Sequence, residues 1–321
     1  MNDFVLRKQW QFLLISQIMR GNWFILPDFA IAQNNSIKQL LNRDWGGMDQ
    51  ATDLSKSREP YPVAVVTGSS SANAFSSFDD APKNSTAILP LKGTMLKYGT
   101  YCSYGTEEIA AKMIAAGAHK NISSLVLDID SGGGAVDAVA PITQAIAKIR
   151  QTFKKPIVAS VDLAASAAYW SASACSKIVA NNDISASVGS IGVMTSLYDM
   201  TKYYDKMGVK FHTIYAPESD YKNKPFELAI EGKYDEIKQE QLSPLALAFQ
   251  NAVKENRGEK LNMEIPGLLN GRMFFAKNNK DSALNAKAVG LIDEVGSLDV
   301  AILQARDLAK SNFVFNYVNN L

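Results

Sequence analysis

Pro156-Ile157-Val158-Ala159-Ser160-Val161, followed by Ala164-Ala165-Ser166-Ala167-Ala168-Tyr169-Trp170, decides the class of this chain. The apolar run reads as a strand buried on both faces, and the small-residue segment as a turn that opens a helix. A serine at such a junction presents its hydroxyl to a cleft, while the helix start leaves backbone N–H groups free. Upstream, a second buried run, Leu125-Val126-Leu127-Asp128-Ile129, leads into Asp130-Ser131-Gly132-Gly133-Gly134. Two strand-to-helix junctions, one carrying a serine and one rich in glycine, point to acyl transfer.

Working outward, the same alternation continues. A strand is predicted over Thr86–Leu91, a helix over 106–117, a strand over 123–129 and a helix over 135–151. The strand at 156–161 is followed by a helix over 166–174 and a short strand, Ile178-Val179-Ala180. Strands spaced by helices imply parallel pairing with helices on the faces, an α/β class. Further on, the pattern predicts a helix over 199–207, a strand over Val209–Tyr215, a long helix over 231–256 and short helices within 270–310. Residues 1–84 read as an N-terminal arm and linker, 85–310 as the folded domain, and 311–321 as a tail.

Composition narrows the function classes. The chain has 321 residues, 47% of them hydrophobic, enough for a large core. A net charge of +1 gives no footprint for nucleic acid or an anionic membrane. Two cysteines, Cys102 and Cys175, make no disulfide framework and suit a cytoplasmic protein. Two histidines and no paired metal-ligand motif leave no metal or other cofactor implied. Arg7 and Lys8 precede the apolar segment Phe12–Met19, which is too short to span a bilayer. That segment reads as an amphipathic helix followed by a short extended arm, with no membrane anchor; the alternative is a secretory signal, for which Ala30-Ile31-Ala32 resembles the cleavage site.

A serine hydroxyl needs a base. His119 sits in a polar loop and His212 within the predicted strand, and neither has supporting context. A lysine serves if its surroundings favour the neutral amine, and the candidates lie in Asp220-Tyr221-Lys222-Asn223-Lys224-Pro225. For the oxyanion, the backbone of Gly132–Gly134 can approach a carbonyl closely, and the amide of Ala167 is the natural second donor. Gly189-Ser190-Ile191-Gly192 admits two readings, a bend in a strand or a serine that holds a catalytic amine.

Together these segments resemble the signal peptide peptidase (protease IV) family of Ser–Lys serine peptidases, over about residues 85–300. The family's Asp-Ser-Pro-Gly-Gly is similar to Asp130–Gly134, with glycine for proline. Its Ala-Ala-Ser-Gly-Gly-Tyr-Tyr is similar to Ala164–Trp170, with Ala167 and Ala168 for two glycines. Gly189-Ser190-Ile191-Gly192-Val193 is intact, and Gly290-Leu291-Ile292-Asp293-Glu294-Val295-Gly296 matches the C-terminal segment. The resemblance implies a crotonase/Clp-protease-like fold, Ser166 as nucleophile and a lysine after Tyr215 as base. Lys222-Asn223 best matches the family's Lys-Asp, with Lys224 as the alternative. It further implies oxyanion donors at Gly133, Gly134 and Ala167, and Ser190 as the residue orienting the amine. The chain looks like the phage-type branch, whose members cleave proteins during capsid assembly and work as homo-oligomeric rings on peptide or unfolded protein substrates. Two other readings follow from the same fold: a ring protein whose site has decayed, and an acyl-CoA enzyme.

Overall fold

The computed structural model describes residues 22–25, 61–67, 74–75, 77–100, 103–197, 199, 201–210 and 212–319. Twelve strands occur among them: β1 (Asn22–Ile25), β2 (Ala64–Val66), β3 (Ala74–Phe75), β4 (Ser85–Lys92), β5 (Ile122–Ser131), β6 (Gly133–Ala135), β7 (Ile157–Ala165), β8 (Lys177–Ala180), β9 (Ser187–Gly189), β10 (Met194–Thr195), β11 (Met273–Phe275) and β12 (Glu294–Val295). The principal helices are α1 (Thr106–Ala118), α2 (Val139–Gln151), α3 (Ala167–Ser173), α4 (Thr201–Lys206), α5 (Lys224–Ile230), α6 (Ser243–Arg257) and α7 (Leu298–Asn319).

The apolar runs become the centre of a nine-stranded sheet. Its order is β11-β9-β7-β5-β4-β2-β3, with β8 beside β7 and β12 beside β8. The pairs β4–β5, β5–β7, β7–β9, β7–β8 and β8–β12 are parallel, while β2 and β11 join antiparallel. Side chains alternate between two cores, as a period of two requires. Ala87, Leu89 and Leu91, Leu125, Leu127 and Ile129, and Ile157, Ala159 and Val161 face the larger core, shared with α1, α2 and α3. Ile88, Val126, Val158 and Val179 face the other way, against Ala301, Ile302 and Ala305 of α7. In α2 the buried residues Val139, Ile142, Ile146 and Ile149 recur at helical spacing. Fully burying one such isoleucine contributes about 2 kcal/mol.

β7 has two neighbours on one edge. Val158–Val161 pair with β8, and Leu163–Ala165 pair with β9. The strand therefore leaves its first partner and takes a second just before Ser166. This hand-over sets the direction in which the chain enters α3.

Several expectations are corrected. The strand read over 209–215 is absent: its described residues, 209–210 and 212–215, are unpaired by strands, and Ile214 is 89% exposed. Among the described residues no strand pairs with this stretch, so its backbone groups join no sheet ladder. The long helix read over 231–256 starts later, at Asp235, and runs through Asp235–Ile237, a π turn at Lys238–Leu242 and α6 without a break. Pro244, near the start of α6, has no N–H to give to the carbonyl of Glu240, which the π turn accommodates. The C-terminal region holds a short 3₁₀ helix at Ser282–Leu284 and one long helix, α7, which runs unbroken past position 310. The sheet also begins before residue 85, because β2 pairs with β4. The amphipathic helix read over Phe12–Met19 lies outside the described residues.

Candidate active site

The geometry at Ser166 follows from the end of β7. Ser166 has φ 55° and ψ −120°, a conformation that non-glycine residues rarely adopt. Such backbone costs about 1–3 kcal/mol and persists only where the surroundings fix it. They do so here. The Ser166 N–H donates to the Gly189 carbonyl at 2.8 Å, and its own carbonyl accepts from Trp170 N–H at 3.0 Å. Ala165, Ala167, Ala168 and Tyr169 are fully buried around it. The result is a sharp turn from strand into helix with Ser166 at its apex. Ser166 is 1% exposed, and its Oγ donates to the Gly192 carbonyl at 3.3 Å.

The glycine segment arrives on the neighbouring strand. Ser131, the last residue of β5, is paired with Ala164, two residues before Ser166. Its Oγ donates to the Gly93 carbonyl at 2.5 Å and accepts the Gly133 N–H at 3.2 Å. Gly133 has φ 96° and its N–H is engaged by that serine. Gly134 differs. The Met95 N–H donates to the Gly133 carbonyl at 2.8 Å, and the Ala135 N–H donates to the Met95 carbonyl at 2.9 Å. Backbone groups alternate along a strand, so those of Gly134 face away from Met95 and toward the opposite side of β6. Glycine is required at this position, since a Cβ would lie 1.9 Å from the Met95 carbonyl oxygen. Helix α3, which begins with Ala167, packs against β6.

Ser190 lies at the end of β9, the strand beside the last residues of β7. Its φ is 52°, and its N–H donates to the Arg272 carbonyl at 2.9 Å. Gly189 before it has φ 127° and room for no Cβ, since one would meet the Arg272 carbonyl at 2.4 Å. Ser166, Gly133, Gly134, Ala167 and Ser190 thus converge on the C-terminal ends of β5, β7 and β9.

Lys222 and Lys224 stand apart from this cluster. Both are exposed, on the turn that leads into α5. No hydrogen bond joins either to Ser166 among the described residues. The surrounding polar bonds are local: Tyr215 Oη donates to Glu227 Oε1 at 2.8 Å, Asn223 Nδ2 donates to Tyr215 Oη at 3.2 Å, and Tyr221 Oη donates to Glu240 Oε1. His119 faces Asp79 across 3.1 Å on the far side of the domain, and His212 is exposed.

Residues that the sequence did not single out complete the site. The Met95 carbonyl imposes glycine at 134, and the Ser131 hydroxyl holds the turn at Gly133. The Gly192 carbonyl accepts the Ser166 hydroxyl. Ser131 stood within the Asp-Ser-Gly-Gly-Gly signal, but the Gly93 carbonyl that it donates to is 38 residues upstream and invisible to spacing. The C-terminal signal is a brace. The buried Arg257 donates to both oxygens of Asp293, at 2.9 and 3.2 Å, and Lys260 adds a third contact. Burial pushes the Asp293 carboxyl upward, but Arg257, Lys260 and the Ile178 N–H together outweigh that and hold it below its usual value. Tyr169 Oη donates to the Leu291 carbonyl at 2.8 Å, tying this brace to α3. Gly290 admits no Cβ, which would lie 1.8 Å from the Lys260 carbonyl.

The model of peptidase family S49 matches residues 149–312. The chloroplastic serine protease SPPA of Arabidopsis thaliana is 28% identical over 215 residues, 65% of this chain and 29% of that protein. Capsid assembly protease C of Escherichia phage lambda is 28% identical over 169 residues, 48% of this chain and 37% of that protein. Among solved structures, the 1510-N membrane-bound stomatin-specific protease in complex with a substrate peptide aligns at 15% identity. That alignment has a TM-score of 0.38 and covers 70% of this chain and 80% of that one. The chain thus spans about a third of the length of these two relatives. No helix among the described residues is long and apolar enough to cross a membrane.

Proposed function

The chain belongs to peptidase family S49, and from that premise we propose that it is a serine endopeptidase using a Ser–Lys dyad. Ser166 Oγ attacks the scissile carbonyl of an extended peptide. Lys222 takes the hydroxyl proton and returns it to the leaving amine, and Ser190 orients that amine. The N–H groups of Gly134 and Ala167 stabilise the oxyanion. Gly133, whose own N–H is held by Ser131, contributes by shaping the turn that presents Gly134. The observation that carries this reading is the strained, buried turn at Ser166 with the glycine strand packed beside it.

The lysine loop belongs to the same proposal through assembly. Lys222 is exposed, and its segment also exposes Tyr203, Met207, Ile214 and Tyr221. Exposed apolar side chains recurring along one segment suit a surface that another chain covers. Packing of this segment against a neighbouring copy would bury Lys222 and bring it to a Ser166, so the active form is a homo-oligomeric ring. The similarity to the phage lambda capsid assembly protease supports a role in cleaving capsid-assembly proteins. Purified protein incubated with denatured casein tests the chemistry. Cleavage by the parent and none by Ser166→Ala is expected, and equal turnover in both removes the assignment. A phosphonate that labels Ser166 removes the reading of a decayed ring.

A further inference from the structure

The strand β1 lies across the front of this site. It forms the centre of a separate three-stranded sheet, β10-β1-β6, antiparallel to both neighbours. Trp23, Phe24 and Ile25 pair with Ala135, Gly134 and Gly133, while Asn22 and Trp23 pair with Thr195 and Met194. Ile25 is 5% exposed.

Both outer strands are anchored at the nucleophile. β6 follows Ser131, which pairs two residues before Ser166. β10 begins two residues after Gly192, whose carbonyl accepts from Ser166 Oγ. A chain strung between them runs past that hydroxyl. Phe24 lies opposite Gly134, whose backbone N–H and carbonyl face it by the alternation set at Met95. Strand neighbours stand about 4.8 Å apart, so the slot between β6 and β10 is one strand wide. Its two edges are rows of backbone donors and acceptors, which recognise any extended peptide through main-chain bonds.

We propose that Asn22–Ile25 is a tethered competitor, occupying the slot between β6 and β10 in which an extended peptide substrate pairs. The proposal rests on the peptidase reading above. A substrate enters only in the fraction of molecules whose arm has left, so the arm raises the apparent KM and leaves kcat unaltered.

Proline in the arm breaks the pairing through the backbone alone, because it has no N–H and fits no central strand. The test uses the full chain carrying Trp23→Pro and Phe24→Pro together. Each single variant removes a donor to a different edge and gives the same readout if the double variant does not fold. Far-UV circular dichroism and thermal unfolding like the parent's qualify a variant. The expected result is a KM for an unstructured peptide substrate about tenfold lower, with kcat unchanged. A synthetic peptide spanning residues 19–28 is expected to inhibit the variant competitively and the parent more weakly. An unchanged KM together with no inhibition overturns the proposal. Binding of the same peptide, fluorescently labelled, to both chains carrying Ser166→Ala is read by anisotropy and needs no catalysis. Tighter binding to the proline variant upholds the slot even where casein is never cut. Equal or absent binding refutes the slot whatever the activity.

Discussion

Ser166 and Lys222, the two members of the proposed dyad, stand in opposite surroundings. Ser166 is 1% exposed, fixed by backbone bonds to Gly189 and Trp170 and enclosed by alanines. Lys222 projects from a turn whose polar bonds close among residues 215–240, within a segment that leaves Ile214 and Tyr221 in solvent. The serine side is complete in one chain, strain included, because the sheet and the buried Arg257–Asp293 pair support it from behind. The lysine side has no such support in one chain. A nucleophile can be preorganised by a single subunit, whereas an amine that must lose its proton needs a dry surface laid over it. In the proposed mechanism that surface is a second copy.

The largest expected effect tests the rigid side. Ser166→Ala is expected to lower kcat by about 10⁴-fold or more, with the thermal unfolding temperature unchanged within a degree or two. A small loss in activity would mean the clamped serine is not the nucleophile. Lys222→Ala is expected to be similarly inactive and Lys224→Ala to keep most activity; the reverse result moves the base two residues along.

Mixing the two inactive chains sharpens the comparison further. If Ser166 and Lys222 meet across subunits, equal amounts of Ser166→Ala and Lys222→Ala, unfolded and refolded together, regain activity at on the order of a quarter of the sites. No recovery would place both groups of one site in the same chain.

The brace behind the serine is next. Asp293→Asn leaves the buried Arg257 without its charge partner and is expected to cost about 3 kcal/mol in a denaturation experiment. The folded carboxyl titrates below its unfolded value, so its contribution is complete above about pH 4 and fades as the pH falls through the depressed value. Acid unfolding of Asp293→Asn is therefore expected to show a shallower pH dependence than the parent. Gly134→Ala, which drives a Cβ into the Met95 carbonyl, is expected to cost roughly 1–3 kcal/mol and to weaken catalysis by displacing β6. The smallest effect concerns Cys175, whose thiol burial pushes up to about 12. Alkylating reagents are expected to leave it unmodified in the folded chain at pH 8 and to modify it in denaturant, as read by mass spectrometry.

Much of the fold was legible because strand and helix periods are local. Leu125–Ile129 and Pro156–Val161 carry continuous apolar character, and both became central parallel strands. The small residues around Ser166 announced a tight turn. The misreadings have one cause. Val209–Tyr215 carries strand-like residues, but a strand forms only where a neighbour accepts its backbone bonds, and local sequence does not report the neighbour. The unbroken helix α7 likewise reflects the sheet face that it packs against.

By itself the sequence determined that a serine sits at a strand-to-helix junction with a glycine-rich junction beside it in an α/β chain. Only the tertiary structure decided which glycine faces the cleft, because that choice comes from the Met95 carbonyl, about forty residues upstream of Gly134 and pressed against its Cα. It also decided that Asn22–Ile25 pairs between Gly133–Ala135 and Met194–Thr195. Hydrogen bonds between segments more than a hundred residues apart leave no mark on the spacing of either one.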